Sequence, residues 1–106
     1  IRSNVGQRFI DWLQRPIVNR ILREAPVAEE IFRVEKDWAV SLVIMKGSSK
    51  SIGLSVADIT AEGDIEILGI DRAGAYLARP DREEKIAEGD RLLVYANRKS
   101  VRRILS

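Results

Sequence analysis

The feature that most constrains the fold is a series of short runs of β-branched and aromatic residues in the last three quarters of the chain. The run at 30–45 shows partial alternation, which predicts one strand or two, with a bend near Lys36 and Asp37. Further short apolar runs occur at residues 65–70, 75–78 and 91–96. Turns that contain glycine or proline separate these runs, so they predict strands of one small mixed or antiparallel sheet.

One or two helices are predicted to pack on this sheet. A helix at about 51–58 would place Ile52, Val56 and Ile59 on one face, although Gly53 lowers its stability by about 1 kcal/mol relative to alanine. A short basic helix is predicted at about 99–104. Strands and helices are not arranged in regular alternation, and the predicted fold class is therefore α+β.

An amphipathic helix is predicted before the sheet, over about residues 4–23. Its apolar residues recur every three or four positions, and they are Val5, Phe9, Trp12, Leu13, Ile17, Ile21 and Leu22. Pro16 lacks an amide hydrogen and disfavours helix at the preceding residue, so we expect a kink near it or two shorter helices. Ala25 and Pro26 mark the boundary between this basic segment, residues 1–26, and a domain at 27–106.

The composition of the chain excludes several classes of function. A chain of 106 residues that is 45% hydrophobic is the size of one small domain. It contains neither histidine nor cysteine, which excludes disulfides, thiolate chemistry, ordinary catalytic triads and the common zinc sites. We therefore expect no enzymatic activity. Because the sequence starts at Ile1 instead of methionine, and no run is apolar enough to span a membrane, we expect a soluble fragment or processed form.

The charge of the chain is concentrated locally. The formal net charge is only +2, but the first 24 residues carry an excess of arginines: Arg2, Arg8, Arg15, Arg20 and Arg23. The basic helix has three interpretations: packing against a partner copy, contact with anionic lipids beside a membrane segment, and nucleic-acid binding. Phe9, Trp12 and Leu13 favour packing, and no nucleic-acid partner is expected.

Acidic residues in two places of the sequence could form a metal site or take part in acid–base chemistry. Gly89 and Asp90 precede the last strand, where glycine permits a turn and aspartate caps it, so we interpret the pair as a turn. An acidic run consists of Asp58, Glu62, Asp64 and Glu66. It does not match the calcium-loop pattern, and a solvated turn is favoured over a metal site.

The second half of the chain resembles a known family. The motifs are GLSVADI at 53–59, IEILGIDR at 65–72 followed by Gly74, RP at 79–80, and IAEGDRLLVY at 86–95. Their order and spacing resemble the C-terminal TrkA domain, also called the RCK-C domain, over residues 28–104. The resemblance implies a small α+β unit that dimerises and regulates potassium channels, potassium uptake systems or other ion transporters at the inner face of the cell membrane.

The same resemblance implies a ligand. Several members of this family bind cyclic di-AMP across the dimer interface, and the matching positions here are Val56, Asp58, Ile59, Thr60, Ile65 and Pro80. Members that bind the ligand commonly carry an arginine where this chain has Thr60. The apolar positions could equally form dimer core. No G-x-G-x-x-G motif is present, so no NAD or ATP cofactor is expected. A ligand-free dimerisation scaffold and the sensory module of a transcription factor remain alternatives.

Overall fold

The computed structural model describes residues 28–34 and 36–106. These residues form five strands: β1 (Ala28–Arg33), β2 (Trp38–Ile44), β3 (Ile65–Arg72), β4 (Ala75–Ala78) and β5 (Arg91–Asn97). Two helices accompany them: α1 (Val56–Thr60) and α2 (Arg98–Leu105). The predicted N-terminal helix with its kink near Pro16, and the domain boundary at residue 26, lie outside the described residues.

All five strands belong to one sheet in the order β1-β2-β5-β3-β4, and every neighbouring pair is antiparallel. The α+β prediction is confirmed, and the sheet is antiparallel throughout. The run at 30–45 forms two strands that separate around Lys36 and Asp37, where the prediction placed the bend. The register of β3 shifts between Ile67 and Gly69, so β3 carries a bulge opposite β5.

One side of the sheet, which we call the first face, is covered by both helices. Its buried strand residues include Val43, Ile65, Ile67, Ile70, Leu92 and Val94. Val56 and Ile59 from α1 and Ile104 from α2 pack against them. The first face with its two helices is therefore the main core of the domain.

The opposite side, which we call the second face, is also apolar. It consists of Val40, Leu42, Leu68, Leu93 and Tyr95. Partly buried residues at its rim are Ile31, Val34, Trp38 and Tyr76, and the Trp38 and Tyr95 rings lie 5.1 Å apart. Alternation along β2 puts Val40 and Leu42 on this face and Val43 on the other.

The helix predicted at about 51–58 lies instead at Val56–Thr60, which corrects that prediction. Gly53 has φ +89°, a left-handed conformation that no α-helix contains. Ser55 then adopts an extended conformation, and its hydroxyl accepts a hydrogen bond from the Asp58 amide at 3.1 Å. This cap defines the start of α1. Residues 51–54 form turns, in which Ile52 still packs against the first face.

The C-terminal helix is confirmed, one residue longer at each end than predicted. Asn97 caps α2 by accepting a hydrogen bond from the Ser100 amide at 2.9 Å. At the other end, the hydroxyls of Ser49 and Ser51 donate to the Ile104 carbonyl at 2.7 and 3.0 Å. These bonds fix α2 to the loop after β2. Neither helix of the described residues is long and apolar enough to cross a membrane.

Candidate functional site

The predicted site residues gather around α1 and the segment that joins β4 to β5, residues 79–90, which we call the connecting segment. Four of them lie on α1, Ile65 begins β3, and Pro80 lies near the start of the connecting segment. The Val56 amide donates to the Glu84 carbonyl, and the Ala57 amide to the Arg82 carbonyl, both at 2.9 Å. These two bonds hold the connecting segment against the first turn of α1.

The apolar members of the predicted site are packed inside the protomer. Val56, Ile59 and Ile65 are 7%, 4% and 4% exposed and belong to the core of the first face. Their side chains stabilise the packing of α1 on β3. They lie beneath the surface of α1, so a ligand at this surface would be supported by them from the core side. Pro80 is partly exposed.

Asp58 is on the surface of α1 and completes a capping box. Its carboxylate accepts a hydrogen bond from the Ser55 amide at 3.1 Å, while its own amide donates to the Ser55 hydroxyl. The Ser55 amide, and then the Ser55 hydroxyl, lower the pKa of the Asp58 carboxyl, and the charge of Lys85 contributes less. Asp58 is therefore a fixed negative charge at the site.

Thr60 replaces the arginine that the resemblance would place after the Asp-Ile pair. Its hydroxyl donates to the Val56 carbonyl at 2.8 Å, which ties the side chain to the helix backbone. The hydroxyl oxygen can still accept a hydrogen bond, but it carries no positive charge. Thr60 by itself therefore supplies no cation for a phosphate.

The first turn of α1 cannot cradle a phosphate with its backbone. The amides of Val56 and Ala57 donate to the connecting segment, and the Asp58 amide donates to Ser55. An anion at this site has to be bound by side-chain cations instead. Exposed basic residues of the connecting segment supply such cations: Arg79, Arg82 and Lys85.

The far end of the connecting segment is fixed by an ion pair that the sequence analysis missed. Asp90 is 1% exposed, and its carboxylate accepts hydrogen bonds from Arg72 Nε at 3.0 Å and Arg72 Nη2 at 2.9 Å. Arg72 also donates to the Glu84 carboxylate at 3.2 Å and to the Lys85 carbonyl at 2.9 Å. The bonds to Asp90, and then to Glu84, raise the pKa of the Arg72 guanidinium above its ordinary value.

The interpretation of Gly89 and Asp90 as a turn is thus correct but incomplete. Gly89 has φ +86°, which a turn requires and glycine adopts at little cost. The Asp90 carboxylate accepts from the Ala87 amide at 2.8 Å, as a turn residue would. Its burial and its bidentate contact with Arg72 give it the additional role of anchoring the connecting segment to β3.

The acidic run does not form a metal site. Asp64 binds α2, since it accepts hydrogen bonds from the Ser100 hydroxyl at 2.6 Å and from Arg103 at 2.8 Å. Burial raises the pKa of Asp64, but the hydrogen bonds from Ser100 and Arg103 outweigh it and the net shift is downward. Within residues 28–34 and 36–106, no cluster of three or more acidic side chains could hold a metal ion.

Two large apolar side chains of the described residues remain exposed. Leu54, directly before the cap of α1, and Leu77 on the edge strand β4 are each 40% exposed. Leu77 is paired with Ile70 of the first face. Leu54 precedes the cap of α1 by one residue and Leu77 precedes Pro80 by three, so both leucines are close in sequence to residues of the candidate site.

The described fold defines a small α+β domain with an antiparallel five-stranded sheet and two helices on one face. Residues 40–106 match the family model of the TrkA-C domain, which is more than half of the chain. The chain therefore belongs to the TrkA-C domain family, and the sequence resemblance is confirmed. No curated protein matches the sequence.

Solved structures of RCK domains are similar to this chain. The RCK_C domain dimer of BusR from S. agalactiae, in complex with c-di-AMP, has a TM-score of 0.51 and 18% identity, covering 65% of this chain and 86% of that one. The GsuK RCK domain has a TM-score of 0.59 and 17% identity, covering 84% of this chain and 20% of that one. BusR with its busAB promoter DNA has a TM-score of 0.50 and 17% identity, covering 97% and 49%. At these identities the similarity shows the fold.

Proposed function

We propose that this chain is a regulatory domain of an ion-transport system, acting in the cytoplasm at the inner face of the membrane as a homodimer that senses a small nucleotide. The observation that carries the proposal is the match of residues 40–106 to the TrkA-C family. Cyclic di-AMP is the first candidate ligand, because a structural neighbour of the same fold, BusR, binds it as a dimer.

The ligand site of the proposal lies on α1 and the connecting segment. Asp58, Thr60 and Pro80 would contact the ligand from the surface, while the buried set of Val56, Ile59 and Ile65 supports them from beneath. An adenine ring needs apolar surface, which Pro80 and the two exposed leucines would provide. The phosphates need cations, because the amides at the start of α1 already have partners.

The dimer of the proposal forms at the same edge of the molecule. Leu54 and Leu77 are the large apolar side chains that the described residues expose; Leu54 directly precedes the cap of α1, and Leu77 lies on the edge strand β4. A symmetric interface through this edge would bury both leucines of each copy and bring two copies of the site together. One ligand would then touch both protomers.

Regulation would follow from a shift between two arrangements of the protomers. A ligand that contacts both copies stabilises the arrangement in which both contacts are made, by the difference between its affinities for the two arrangements. The connecting segment would sense the ligand directly, since it is bonded to α1 at one end and to Arg72 at the other. Arg72 is the last residue of β3 and its partner Asp90 directly precedes β5, so the pair links the connecting segment to two neighbouring strands of the sheet.

The experiment that tests the proposal is calorimetric titration of the chain with cyclic di-AMP, with the mass of the protein followed by light scattering. Micromolar or tighter binding with one ligand per dimer is the expected result. A stable dimer that produces no heat with the nucleotide would contradict the sensor function and leave a dimerisation scaffold. A monomer at all concentrations would contradict the shared site.

Two substitutions that each remove one negative charge test where the ligand binds. Asp58→Asn removes a fixed negative charge beside the proposed phosphate position, so we expect tighter binding, about threefold to tenfold for one charge a few ångströms away. Asp37→Asn removes the same charge at the exposed turn between β1 and β2, and β1 is the edge strand farthest from β4, so this variant should change the affinity little. Equal effects of both variants would place the ligand elsewhere.

A second candidate function is the sensory module of a transcription factor. It is favoured by the similarity to BusR in complex with its promoter DNA, which extends over 97% of this chain. The domain would keep the same ligand site and differ only in the partner that it controls. Titration of labelled duplex DNA at low salt, followed by fluorescence anisotropy, tests for direct contact; the sequence predicts none, and salt-sensitive binding would favour this second function.

A further inference from the structure

A pocket of about 250 Å³ lies between α2 and the part of the sheet formed by β1, β2 and β5. The sheet lines it with three small side chains, Ala39, Ser41 and Ala96, and Ala39 is paired directly with Ala96. Small side chains at these positions leave space beside α2 that larger ones would fill. A second pocket of about 440 Å³ shares Arg98 and Arg102 with the first. We call the two pockets together the α2 groove.

One side of α2 lines the first pocket. Arg98, Val101, Arg102 and Leu105 have the i, i+3, i+4, i+7 spacing of a single helix face, and all four line this pocket. Ile104, on the neighbouring side of the helix, is buried in the core of the first face. The α2 groove therefore combines apolar surface with two guanidinium groups.

The cations of the α2 groove are poorly neutralised by the described residues. In this part of the chain, no carboxylate lies within 4.0 Å of the Lys99 or Arg102 side chain, and Arg98 reaches Glu30 only at 4.0 Å. Glu30 is bound more closely by Arg33, at 3.0 Å. Because Arg98 and Arg102 are one helical turn apart, their charges repel each other, and an anion between them would stabilise α2.

The second pocket adds an aromatic side chain and a third cation. Trp38 and Lys99 line it together with the two arginines, and Asp37 is its acidic residue. Asn97 also lines it, but its side-chain oxygen accepts the hydrogen bond from the Ser100 amide at 2.9 Å. Positively charged side chains, and not the capped amide of the helix, are therefore what this pocket offers to an anion.

Ser41 contributes a buried polar group to the first pocket. It is 7% exposed, and its hydroxyl forms no hydrogen bond with the described residues. Buried hydroxyl groups normally have a partner, because removal from water without a replacement is unfavourable. An oxygen atom of a ligand in the pocket would supply this partner.

We propose that the α2 groove binds a small organic phosphate. Arg98, Lys99 and Arg102 would hold the phosphate, since guanidinium groups bind phosphate oxygens in pairs and three cations match a doubly charged anion. The organic part would lie on the apolar surface of Val101 and Leu105. The two pockets together have the size of small-molecule sites, which is about 300–1,000 Å³.

This site is distinct from the candidate site on α1. The α2 groove is lined by residues of β1, β2, β5 and α2 and by Asp37, and it shares no residue with α1 or the connecting segment. The inference goes beyond the nucleotide sensor proposed above and does not depend on it.

Phenyl phosphate and inorganic phosphate are the probes that test the proposal. The full chain is titrated with each, and its amide and indole signals are followed by NMR. We expect saturable shifts at Trp38 and residues 97–105, and about tenfold tighter binding of phenyl phosphate, because its ring adds apolar contact to the same charged group. Equal affinity for both probes, or shifts confined to the connecting segment, would overturn the proposal.

Arg102→Gln and Lys46→Gln form a pair of variants matched in charge. Both side chains are exposed, so both variants should fold. Lys46 follows β2 and Trp38 begins it, so about 20 Å of strand separates Lys46 from the α2 groove. We expect Arg102→Gln to weaken phenyl phosphate binding about threefold to tenfold and Lys46→Gln to leave it unchanged. An equal loss in both would mean attraction to a basic chain in general and would contradict a site.

Two further measurements separate this site from other sources of phosphate. Asp58→Asn should leave phenyl phosphate binding unchanged, so the α2 groove and the α1 site can fail independently. Vesicles of phosphatidic acid and phosphatidylcholine test a lipid source by cosedimentation. A chain that binds these vesicles through Arg102 but does not respond to phenyl phosphate would rule out a soluble ligand in the α2 groove.

Discussion

Asp58 and Asp90 make the same local contact in two different surroundings. Each carboxylate accepts a hydrogen bond from the amide three residues earlier, at 3.1 Å from Ser55 and at 2.8 Å from Ala87. Asp58 is exposed, and its amide donates to the hydroxyl of the same Ser55, so all its partners here come from one neighbouring residue. Asp90 is 1% exposed and is bound by Arg72, which is 18 residues distant in sequence.

The difference shows that a shared local motif does not determine how much a residue contributes to the free energy of unfolding. Water can replace the partners of an exposed carboxylate at small cost, so the capping box contributes mainly to the start of α1. A buried carboxylate has no such replacement, and its contacts hold the connecting segment and β3 in one arrangement. The candidate site lies between these two anchors.

The largest effect should come from Asp90→Ala. This change removes three hydrogen bonds and leaves Arg72 without its main partner, so we expect the free energy of unfolding to fall by about 3 kcal/mol. Because Arg72 is 41% exposed and can be hydrated, the loss should lie at the lower end of the range for buried ion pairs. Urea denaturation measures it.

Two further variants sharpen this prediction. Asp90→Asn keeps one acceptor oxygen and the shape of the side chain, so it should lose less stability than Asp90→Ala. Asp58→Ala removes the exposed carboxylate of the comparison. It should lower the free energy of unfolding much less than Asp90→Ala or Asp90→Asn. If Asp58→Ala and Asp90→Ala reduced the stability equally, burial would not be what separates the two residues.

The sequence predicted the fold because most of its signals are local. Alternation within runs of β-branched residues indicated the strands, and glycine with positive φ marked the turns at Gly63, Gly74 and Gly89. The start of α1 was misplaced because Ile52 fits a helical period, although it belongs to a turn. The Ser55 and Asp58 pair was the signal that could have corrected it, since these residues match a capping box.

The Arg72 and Asp90 pair could not be predicted from the same signals. It depends on the register of β3 against β5, in which Asp71 lies opposite Arg91 and so brings Arg72 beside Asp90. Register follows from side-chain packing across the whole sheet and not from residues close in sequence. For the same reason, the sequence left open whether Ile65 contacts a ligand or packs in a core, and the structure places it in the core of the protomer.

A smaller effect is expected from Ser55→Ala. The Ser55 hydroxyl is the acceptor for the Asp58 amide, and without it this amide at the start of α1 loses its partner. We expect the free energy of unfolding to fall by about 1 kcal/mol, as for other helix caps, measured by urea denaturation. Ser48→Ala, at an exposed position in the loop after β2, is the control and should be neutral. A loss as large as that of Asp90→Ala would mean that α1 and the connecting segment unfold together.

The smallest effect concerns the titration of Asp58, followed by NMR of its carboxyl carbon. The Ser55 amide lowers the pKa of Asp58 most and the Ser55 hydroxyl second. Ser55→Ala removes only the hydroxyl, so the pKa should rise in the variant but stay below the ordinary value of 3.8. A complete return to 3.8 would show that the hydroxyl alone lowers it, or that the capping box opens without it.

The sign of the pH dependence follows from the same shift. A carboxyl group whose pKa is lower in the folded state stabilises that state above its unfolded pKa, and the contribution is lost as the pH falls through the folded value. The wild type should therefore lose more of its urea midpoint than Ser55→Ala between about pH 5 and about pH 2, because only the wild type has the full shift to lose. An equal loss in both would mean that the Ser55 hydroxyl favours the protonated and ionised forms of Asp58 alike, and the capping box would then act through geometry and not through charge.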